Sequence, residues 1–180
     1  MITRLIYAFI FIFLVGGGPF HINDVRAETA SKVVNSFQST LLSVMKSAKH
    51  TSVRQRYDEL FPSISQHFHI PLMTQIATGR HWLKAQPNEK ISLIAAFKRV
   101  NVATLATLFD GYSGEVFEIQ GERPGPSKTT IVFTRLVKAD KSNVKLTYIA
   151  AKFSGDWRLI DVVVDGGISE LKVRRSEYNS

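Results

Sequence analysis

Cysteine is absent from the 180 residues, so neither disulfide bonds nor thiol chemistry contributes to this protein. A glycine-rich phosphate loop is missing too. Gly16-Gly17-Gly18 belongs to an apolar N-terminal segment, and Gly166-Gly167 lacks the residues that such a loop requires after it. No Gly-x-Ser-x-Gly sequence presents a nucleophilic serine. These absences argue against thiol-dependent, serine-hydrolase and nucleotide-binding classes.

Candidate metal ligands are sparse. His67-Phe68-His69 places two histidines two positions apart, and His81 follows later in the sequence. A zinc site needs three or four ligands, and no cysteine or carboxylate stands at a suitable spacing from this pair. We therefore predict no metal and no cofactor, and we expect these histidines at helix ends or on the surface.

The N-terminus has the layout of a secretory signal peptide. Arg4 supplies a positive charge, Leu5–Val15 is an unbroken apolar run, and Val25-Arg26-Ala27 offers small residues for cleavage. The run is too short to cross a bilayer, which needs about 20 apolar residues. We predict a signal peptide at residues 1–27 and a single exported domain at residues 28–180. An uncleaved N-terminal anchor is the alternative, and no later segment is predicted to cross a membrane.

Basic residues are in excess, with a net charge of +8 for the full chain. Removal of residues 1–27 takes away two basic residues and one acidic residue, which leaves a net charge of +7. A basic excess indicates an anionic partner, and for an exported monomer we expect an anionic membrane surface or an acidic docking protein rather than nucleic acid. The alternative is that the charge serves solubility alone.

The order of helical and strand patterns, with helices first and strands after, predicts an α+β fold. Apolar residues at helical spacing and proline or glycine breaks predict helices over Ala30–Lys49, Ser52–Phe61, a short piece opened by Pro62, Leu72–Thr78 and Glu89–Phe109. Alternating patterns and turn residues predict four strands in a mainly antiparallel curved sheet, over Val116–Gln120, Thr129–Lys138, Val144–Phe153 and Trp157–Val164. We expect a final helix over Ile168–Tyr178.

One glycine and one capping residue are expected to mark the ends of two central helices. Gly79 is expected to end the helix that precedes it in a left-handed conformation, and Asn88 is expected to cap the helix at Glu89–Phe109. That helix is apolar on most of its circumference. We therefore expect it to be buried between the sheet and another helix.

Acid–base chemistry has three candidates, Asp110, Asp161 and Asp165. A curved sheet covered by helices can form a cone with a carboxylate at its base, so an α+β enzyme acting on a small apolar molecule is one reading. No histidine stands where it would partner these aspartates, and Ser113 fits a turn better than a nucleophile. Capping and turn roles account for these residues more simply.

Short motifs in a fixed order carry most of the remaining information. They are Gly79–Trp82, Phe109–Glu115, Trp157–Val162, Gly167–Leu171 and Arg174–Tyr178. In order and spacing they resemble the bacterial toluene-tolerance family of MlaC-like phospholipid-binding proteins, most closely its hopanoid-biosynthesis-associated subfamily, HpnM. The resemblance runs from about Val33 to Tyr178. It implies a periplasmic, non-enzymatic carrier that holds lipid acyl chains in a cavity between its sheet and its helices.

The resemblance also implies what the cavity and the partners are. The ligand would be a phospholipid or a hopanoid-type lipid moved between membranes by an ABC-transporter-linked system. Expected lining residues are the apolar positions of the central helix and sheet, namely Phe97, Val102, Leu105, Phe109, Phe117, Ile119, Val132, Leu146, Tyr148, Ile160 and Val162. Basic residues expected at the mouth are Arg80, His81 and Arg158. A further reading is an adaptor that stabilises a membrane transporter without binding lipid.

Two more expectations concern particular positions. Ala103, a small residue on the central helix, is expected to border the cavity. Relatives in the hopanoid-associated subfamily usually continue with a further C-terminal helix, whereas this sequence stops at Ser180. A shorter variant or a truncated C-terminal helix would change one wall of the cavity.

Overall fold

Helices precede strands in the computed structural model, which describes residues 29–165 and 167–179. The expected signal peptide at residues 1–27 lies outside the described residues. The helices are α1 Ala30–Ser47, α2 Val53–His67, α3 Ile70–Thr78, α4 Arg80–Lys84, α5 Pro87–Leu108 and α6 Glu170–Asn179. The strands are β1 Val116–Pro124, β2 Thr130–Val137, β3 Asn143–Phe153, β4 Asp156–Val164 and β5 Ile168–Ser169. The predicted α+β class is confirmed.

The sheet is an antiparallel meander in which each strand pairs with its neighbour in the chain, in the order β1 to β5. The four predicted strands are present, and a fifth is added. Ile168 and Ser169 pair with Val164 and Val163 before α6 begins at Glu170, so the expected helix starts two residues late. Register shifts in β1 and between β3 and β4 mark bulges, which increase the local bend of a sheet.

The first helix covers the inner face of this sheet. Thr29 caps α1, because its hydroxyl accepts a hydrogen bond from the Lys32 backbone N–H. The apolar stripe of α1 is buried at Val33, Val34, Phe37, Leu41, Val44 and Met45. α1 contacts β1 to β4 and α2, so it forms the centre of the hydrophobic core.

Helix α2 differs from its prediction, since one helix runs through Pro62 where two pieces were expected. Ser52 and Gln55 form a reciprocal capping box at its start. An internal proline costs a helix about 3 kcal/mol. Leu60 and Ile64 lie on either side of Pro62 and are both buried, so packing offsets that cost.

Helix α5 also differs from its prediction. Glu89 accepts a 2.6 Å hydrogen bond from the Gln86 backbone N–H, so the helix begins at Pro87 and Asn88 is not its cap. The expected burial between sheet and helix is wrong: α5 packs on α2 and α3, and Ile91 and Leu108 are 70% and 69% exposed. Both polar and apolar residues are exposed on its outer face, so the high apolar content of α5 does not mean that it is buried on all sides.

By length and composition, α5 is the one helix in the described part of the chain that could cross a membrane. The expectation that no such segment follows the N-terminus is therefore wrong by this measure. In this fold α5 lies along α2 and α3, and Arg56 of α2 donates a 2.9 Å hydrogen bond from Nε to the Ala106 carbonyl. In this structure α5 is therefore packed on one side against the other helices of the domain.

Candidate functional site

An internal cavity of about 210 Å³ lies between the helices and strands β3 and β4. Its apolar lining comes from Phe37, Leu41, Ile64, Phe68, Ile70, Met73, Leu105, Leu108, Phe109, Leu146, Tyr148, Val162 and Val164. Its polar lining comes from Asn101, Thr104 and Arg174. Because Leu108 is 69% exposed, the cavity reaches the surface near the C-terminal end of α5.

Aromatic rings form one wall of the cavity. Phe37 of α1 meets Phe68 edge to face with 4.8 Å between ring centroids, and it meets Tyr148 of β3 at 6.3 Å. All three side chains are buried. Edge-to-face rings are an attractive arrangement, so this wall is well packed.

A buried polar network stands behind that wall. Gln38 donates hydrogen bonds from Nε2 to the Thr134 hydroxyl at 3.0 Å and to the Tyr148 hydroxyl at 3.3 Å. The Thr134 hydroxyl in turn donates to the Leu146 carbonyl. Burial raises the pKa of Tyr148 to about 12, and the hydrogen bond from Gln38 opposes part of that rise. The phenol is thus held neutral, with its ring against the cavity.

Arg174 of α6 is the one charged residue that lines the cavity among the described residues. Its side chain is 17% exposed, and Nη1 donates a 3.0 Å hydrogen bond to the Glu177 carboxylate. Its Nε is buried and has no hydrogen-bond partner among the described residues. A buried donor without an acceptor costs about 1–3 kcal/mol, so this nitrogen favours any acceptor that enters the cavity.

The position of α6 is fixed by Asp161 of β4. Its carboxylate accepts a 2.6 Å hydrogen bond from the Ser169 hydroxyl and a 3.3 Å bond from the Leu171 backbone N–H. The Ser169 hydroxyl also accepts a hydrogen bond from the Lys172 N–H, which satisfies a donor in the first turn of α6. The motifs Trp157–Val162 and Gly167–Leu171 therefore meet here.

Helix α6 also contacts the end of α3. Gly79 has φ +53°, and a Cβ there would lie 3.4 Å from the Arg175 Nε. Gly79 ends α3 with a positive φ as predicted, but its ψ of −119° lies outside the left-handed helical region. The motif that begins at Gly79 thus touches the motif that begins at Arg174. Four of the five short motifs are consequently joined around α6, and the fifth contributes Phe109 to the cavity.

Several predicted lining residues surround the cavity and others do not. Leu105, Phe109, Leu146, Tyr148 and Val162 line it. The remaining predicted residues do not line it, namely Phe97, Val102, Phe117, Ile119, Val132 and Ile160. The cavity-facing stripe of α5 contains positions 101, 104, 105 and 108, which are neighbours on one helix face.

The displaced positions have physical explanations. Phe97, Val102 and Val132 are buried in the core outside the cavity. Ile119 is 38% exposed and lies beside polar residues of α1. The bulge between β3 and β4 breaks strand alternation near Ile160, so that Leu159 is fully buried and Val162 reaches the cavity. Phe117 is half-buried and packs against the core.

The predicted mouth residues lie elsewhere. Arg80 and His81 are exposed on α4, and Arg158 forms a 3.4 Å ion pair with Asp156. Ala103 is exposed, so it does not border the cavity. Arg174 takes the place expected for a basic residue. In the sequence, the spacing of three between Arg174 and the apolar residue Leu171 could have indicated this position, because residues three apart share a helix face. Leu171 is buried in the structure.

The histidine pair has structural roles. His67 donates from Nδ1 to the Ser63 carbonyl at 2.8 Å, and its Nε2 lies 3.0 Å from the Ser36 hydroxyl. His69 caps α3 by accepting a hydrogen bond from the Leu72 N–H. Its ring stacks on that of Phe153, with 3.8 Å between the ring centroids. No group of three or more metal-ligating side chains occurs within residues 29–165 and 167–179.

The candidate acid–base aspartates are separated. Asp110 is exposed after α5, and Asp165 accepts a hydrogen bond from the Lys145 N–H in the turn after β4. Asp161 is engaged with α6, and none of the three lines the cavity. Their contacts are those of turn and anchoring residues.

Comparison with known proteins now decides the family. Residues 35–180 match the sequence model of the MlaC protein family. The chain belongs to the MlaC family. A solved structure of the phospholipid-binding protein from Ralstonia solanacearum, in complex with a phospholipid, is similar in fold, with a TM-score of 0.74 and 17% identity. The match covers 84% of this chain and 86% of that chain. No curated protein matches this chain.

Proposed function

We propose that this protein is a periplasmic carrier that moves a phospholipid or hopanoid-type lipid between membranes as part of an ABC-transporter-linked system. The observation that carries the proposal is the apolar cavity between helices and sheet, which has one charged side chain, Arg174, among its described lining residues. Each acyl methylene buried there contributes about 0.8 kcal/mol. Such binding needs no catalytic group.

The family and the structural neighbour support a lipid ligand. The Ralstonia protein was solved with a phospholipid, and it shares the arrangement of helices on an antiparallel sheet. Membership of the MlaC family supports a periplasmic location, in keeping with the predicted signal peptide at residues 1–27. The hopanoid-associated subfamily remains part of the proposal.

The cavity volume limits how a lipid is held. A cavity of about 150 Å³ admits one benzene ring, so about 210 Å³ admits a short stretch of a single acyl chain. A diacyl lipid therefore requires the cavity to widen. Phe68 and Ile70 line both the cavity and an open groove between α2 and α5, so the two spaces adjoin at these side chains and their displacement would join them.

Helix α4 is the proposed docking surface for an anionic membrane or for an acidic face of a transporter component. Leu83 is 81% exposed, and no residue of α4 is buried. Arg80 and Lys84 are exposed on the same short helix, and the ammonium of Lys90 lies 5.4 Å from the Trp82 ring centroid. Basic residues near anionic lipid contribute about 1 kcal/mol each, alongside apolar anchors.

Native mass spectrometry of residues 28–180, purified without added lipid and then incubated with phospholipid vesicles, tests the carrier. We expect a folded protein with one bound lipid, and the bound species identified by fragmentation. A folded protein that takes up no lipid from vesicles of any composition would refute the carrier and favour the adaptor or enzyme readings.

A liposome sedimentation assay tests docking. Leu83→Gln should lower the bound fraction on vesicles containing anionic lipid, and raising the salt to physiological strength should lower it further. Val53→Gln is the matched control, because Val53 is an exposed apolar residue on another helix, at 49% exposure. Equal loss in both variants would remove α4 from the proposal.

A further inference from the structure

We propose that Ser36 and His67 form a catalytic Ser–His dyad that hydrolyses short-chain carboxylic esters at the surface of α1. A serine becomes a nucleophile when an adjacent imidazole accepts its hydroxyl proton. This activity goes beyond the proposed lipid binding, because Ser36 lies outside the cavity lining and the reaction needs no bound lipid. No short sequence motif marks the pair, since its members come from two different helices.

The distance between the two side chains suits proton transfer. His67 Nε2 lies 3.0 Å from the Ser36 hydroxyl oxygen. A nucleophile and its base require a separation of about 2.6–3.2 Å. Packing of α1 against α2 brings the two residues together across 31 positions of sequence. The His67 side chain is buried and Ser36 is exposed, so the base is held within the protein while the nucleophile stays accessible.

The tautomer of His67 is set by its other ring nitrogen. Nδ1 lies 2.8 Å from the Ser63 carbonyl oxygen, which is closer than the Ser63 hydroxyl at 3.1 Å. A carbonyl only accepts hydrogen bonds, so Nδ1 carries the proton and Nε2 presents its lone pair to Ser36. The Ser63 carbonyl thus holds the imidazole as a general base, which is the task of the carboxylate in a Ser-His-Asp triad.

The Ser36 hydroxyl differs from its neighbours on α1. Hydroxyls within helices commonly donate to the carbonyl one turn earlier. Ser39 Oγ donates in this way to the Asn35 carbonyl at 2.8 Å, and Thr40 Oγ1 donates to the Ser36 carbonyl at 3.3 Å. The Ser36 hydroxyl is instead directed across to α2, where His67 Nε2 accepts its proton. Ser36 is therefore distinguished from both neighbours by contact with a base.

Ser36 lines an open surface depression of about 500 Å³. Lys32 and Asn35 line the same depression. Their ammonium and amide groups are donors for the negative oxygen that forms when an ester carbonyl is attacked. Ile119 is the one apolar residue among its described lining residues. A long acyl chain would find little apolar surface here, so the substrate class is an ester with a short acyl group.

The reaction proceeds in two balanced stages. In the first, the Ser36 oxygen attacks the ester carbonyl carbon and its proton passes to His67 Nε2. The ester carbon–oxygen bond then breaks, the departing alcohol takes that proton, and the acyl group remains on Ser36. In the second, water gives a proton to Nε2 and attacks the acyl group, and the Ser36 oxygen recovers the proton as the carboxylic acid leaves. Ester and water thus become acid and alcohol without any change in oxidation state.

The test uses two probes on the purified protein. p-Nitrophenyl acetate is a short activated ester, and a fluorophosphonate forms a stable adduct with an activated serine. Both are applied to the unsubstituted protein, to Ser36→Ala and to Ser39→Ala. Ser39→Ala is the matched control, because Ser39 lines the same depression while its hydroxyl donates to a backbone carbonyl. Circular dichroism shows that each variant is folded.

For the unsubstituted protein and for Ser39→Ala we expect one fluorophosphonate adduct per chain, located at Ser36 by peptide mass spectrometry. Ser36→Ala should lose both the adduct and the hydrolysis that exceeds the rate in buffer. His67→Gln keeps the hydroxyl and removes the base, so kcat/KM for p-nitrophenyl acetate should fall about 10²–10⁴-fold. Ser36 is exposed, so Ser36→Ala decides the test even where the buried His67→Gln variant does not fold.

The inference is overturned when the folded protein gains no adduct at Ser36. It is equally overturned when Ser36→Ala hydrolyses the ester as fast as the unsubstituted protein, because other surface groups are then responsible. Neither result affects the carrier proposal, which depends on lipid uptake from vesicles. A protein that takes up no lipid but hydrolyses the ester would refute the carrier and leave the dyad standing, so the two proposals fail separately.

Discussion

The carboxylate of Asp161 accepts a 2.6 Å hydrogen bond from the hydroxyl of Ser169, and this bond joins the last long strand to the helix that carries Arg174. The same carboxylate accepts from the Leu171 N–H. Ser169 is 8% exposed, so the contact lies away from bulk water. The position of one cavity wall therefore depends on a side chain outside the cavity.

Substitution Asp161→Asn should destabilise the protein by about 1–3 kcal/mol, because it weakens two hydrogen bonds to the start of α6. Urea unfolding measures the loss. Asp156→Asn is the control. The Asp156 side chain is 65% exposed, so its ion pair with Arg158 is in contact with solvent. The free energy of unfolding should therefore change by less than about 1 kcal/mol in Asp156→Asn. Equal effects of the two substitutions would contradict the anchoring role of Asp161.

Substitution Gly79→Ala should cost about 1–3 kcal/mol of stability. Gly79 has φ +53°, where L residues are strained, and the added Cβ would come 3.4 Å from the Arg175 guanidinium. Thermal unfolding measures the change. Gly111→Ala serves as the control, because a Cβ at Gly111 meets nothing within 4 Å and its φ is outside the positive region. A neutral Gly79→Ala would contradict this prediction.

The sequence predicts local structure well where one residue type decides it. Gly79 ends α3, and the turns at Asp140–Asn143 and Ser154–Asp156 give the expected meander. The apolar stripe of α1 is likewise buried as its spacing indicates. The turns and the end of α3 form within a few residues of their signals, so they depend little on distant contacts, whereas the burial of α1 also requires its contacts with the sheet.

Long-range contacts explain the remaining differences. α2 runs through Pro62 because buried neighbours on both sides compensate for it. The bulge opposite Ile149 and Ala150 changes which residues of β4 face the helices, and alternation alone cannot reveal it. Arg174 is placed at the cavity by contacts of Asp161, which is 13 positions earlier in the sequence. Residue patterns therefore indicate which side chains are apolar without indicating which of them share a cavity.

Tyr148→Phe should reduce the loss of stability at high pH. The pKa of Tyr148 is raised to about 12 in the folded protein by burial, from 10.0. The stability that depends on the neutral phenol is thus present below pH 10 and is lost as the pH rises toward about 12. This difference between the pKa values of the unfolded and folded states corresponds to about 3 kcal/mol of stability. Urea unfolding at pH 8 and pH 11 should show a smaller decrease for Tyr148→Phe than for the unsubstituted protein, and equal decreases would contradict the burial of this hydroxyl.

Filling the cavity should block lipid uptake, and α5 offers a matched pair of positions for the test. Thr104 lines the cavity, whereas the adjacent Ala103 is exposed. Thr104→Trp should remove most bound lipid in native mass spectrometry, because the indole occupies space that an acyl chain requires. Ala103→Trp adds the same indole on the outer face and should retain lipid. Overpacking costs about 1–3 kcal/mol, so circular dichroism must show that both variants are folded. Retention of lipid by a folded Thr104→Trp protein would place the acyl chain outside this cavity, and the open groove between α2 and α5 would then be the space to examine.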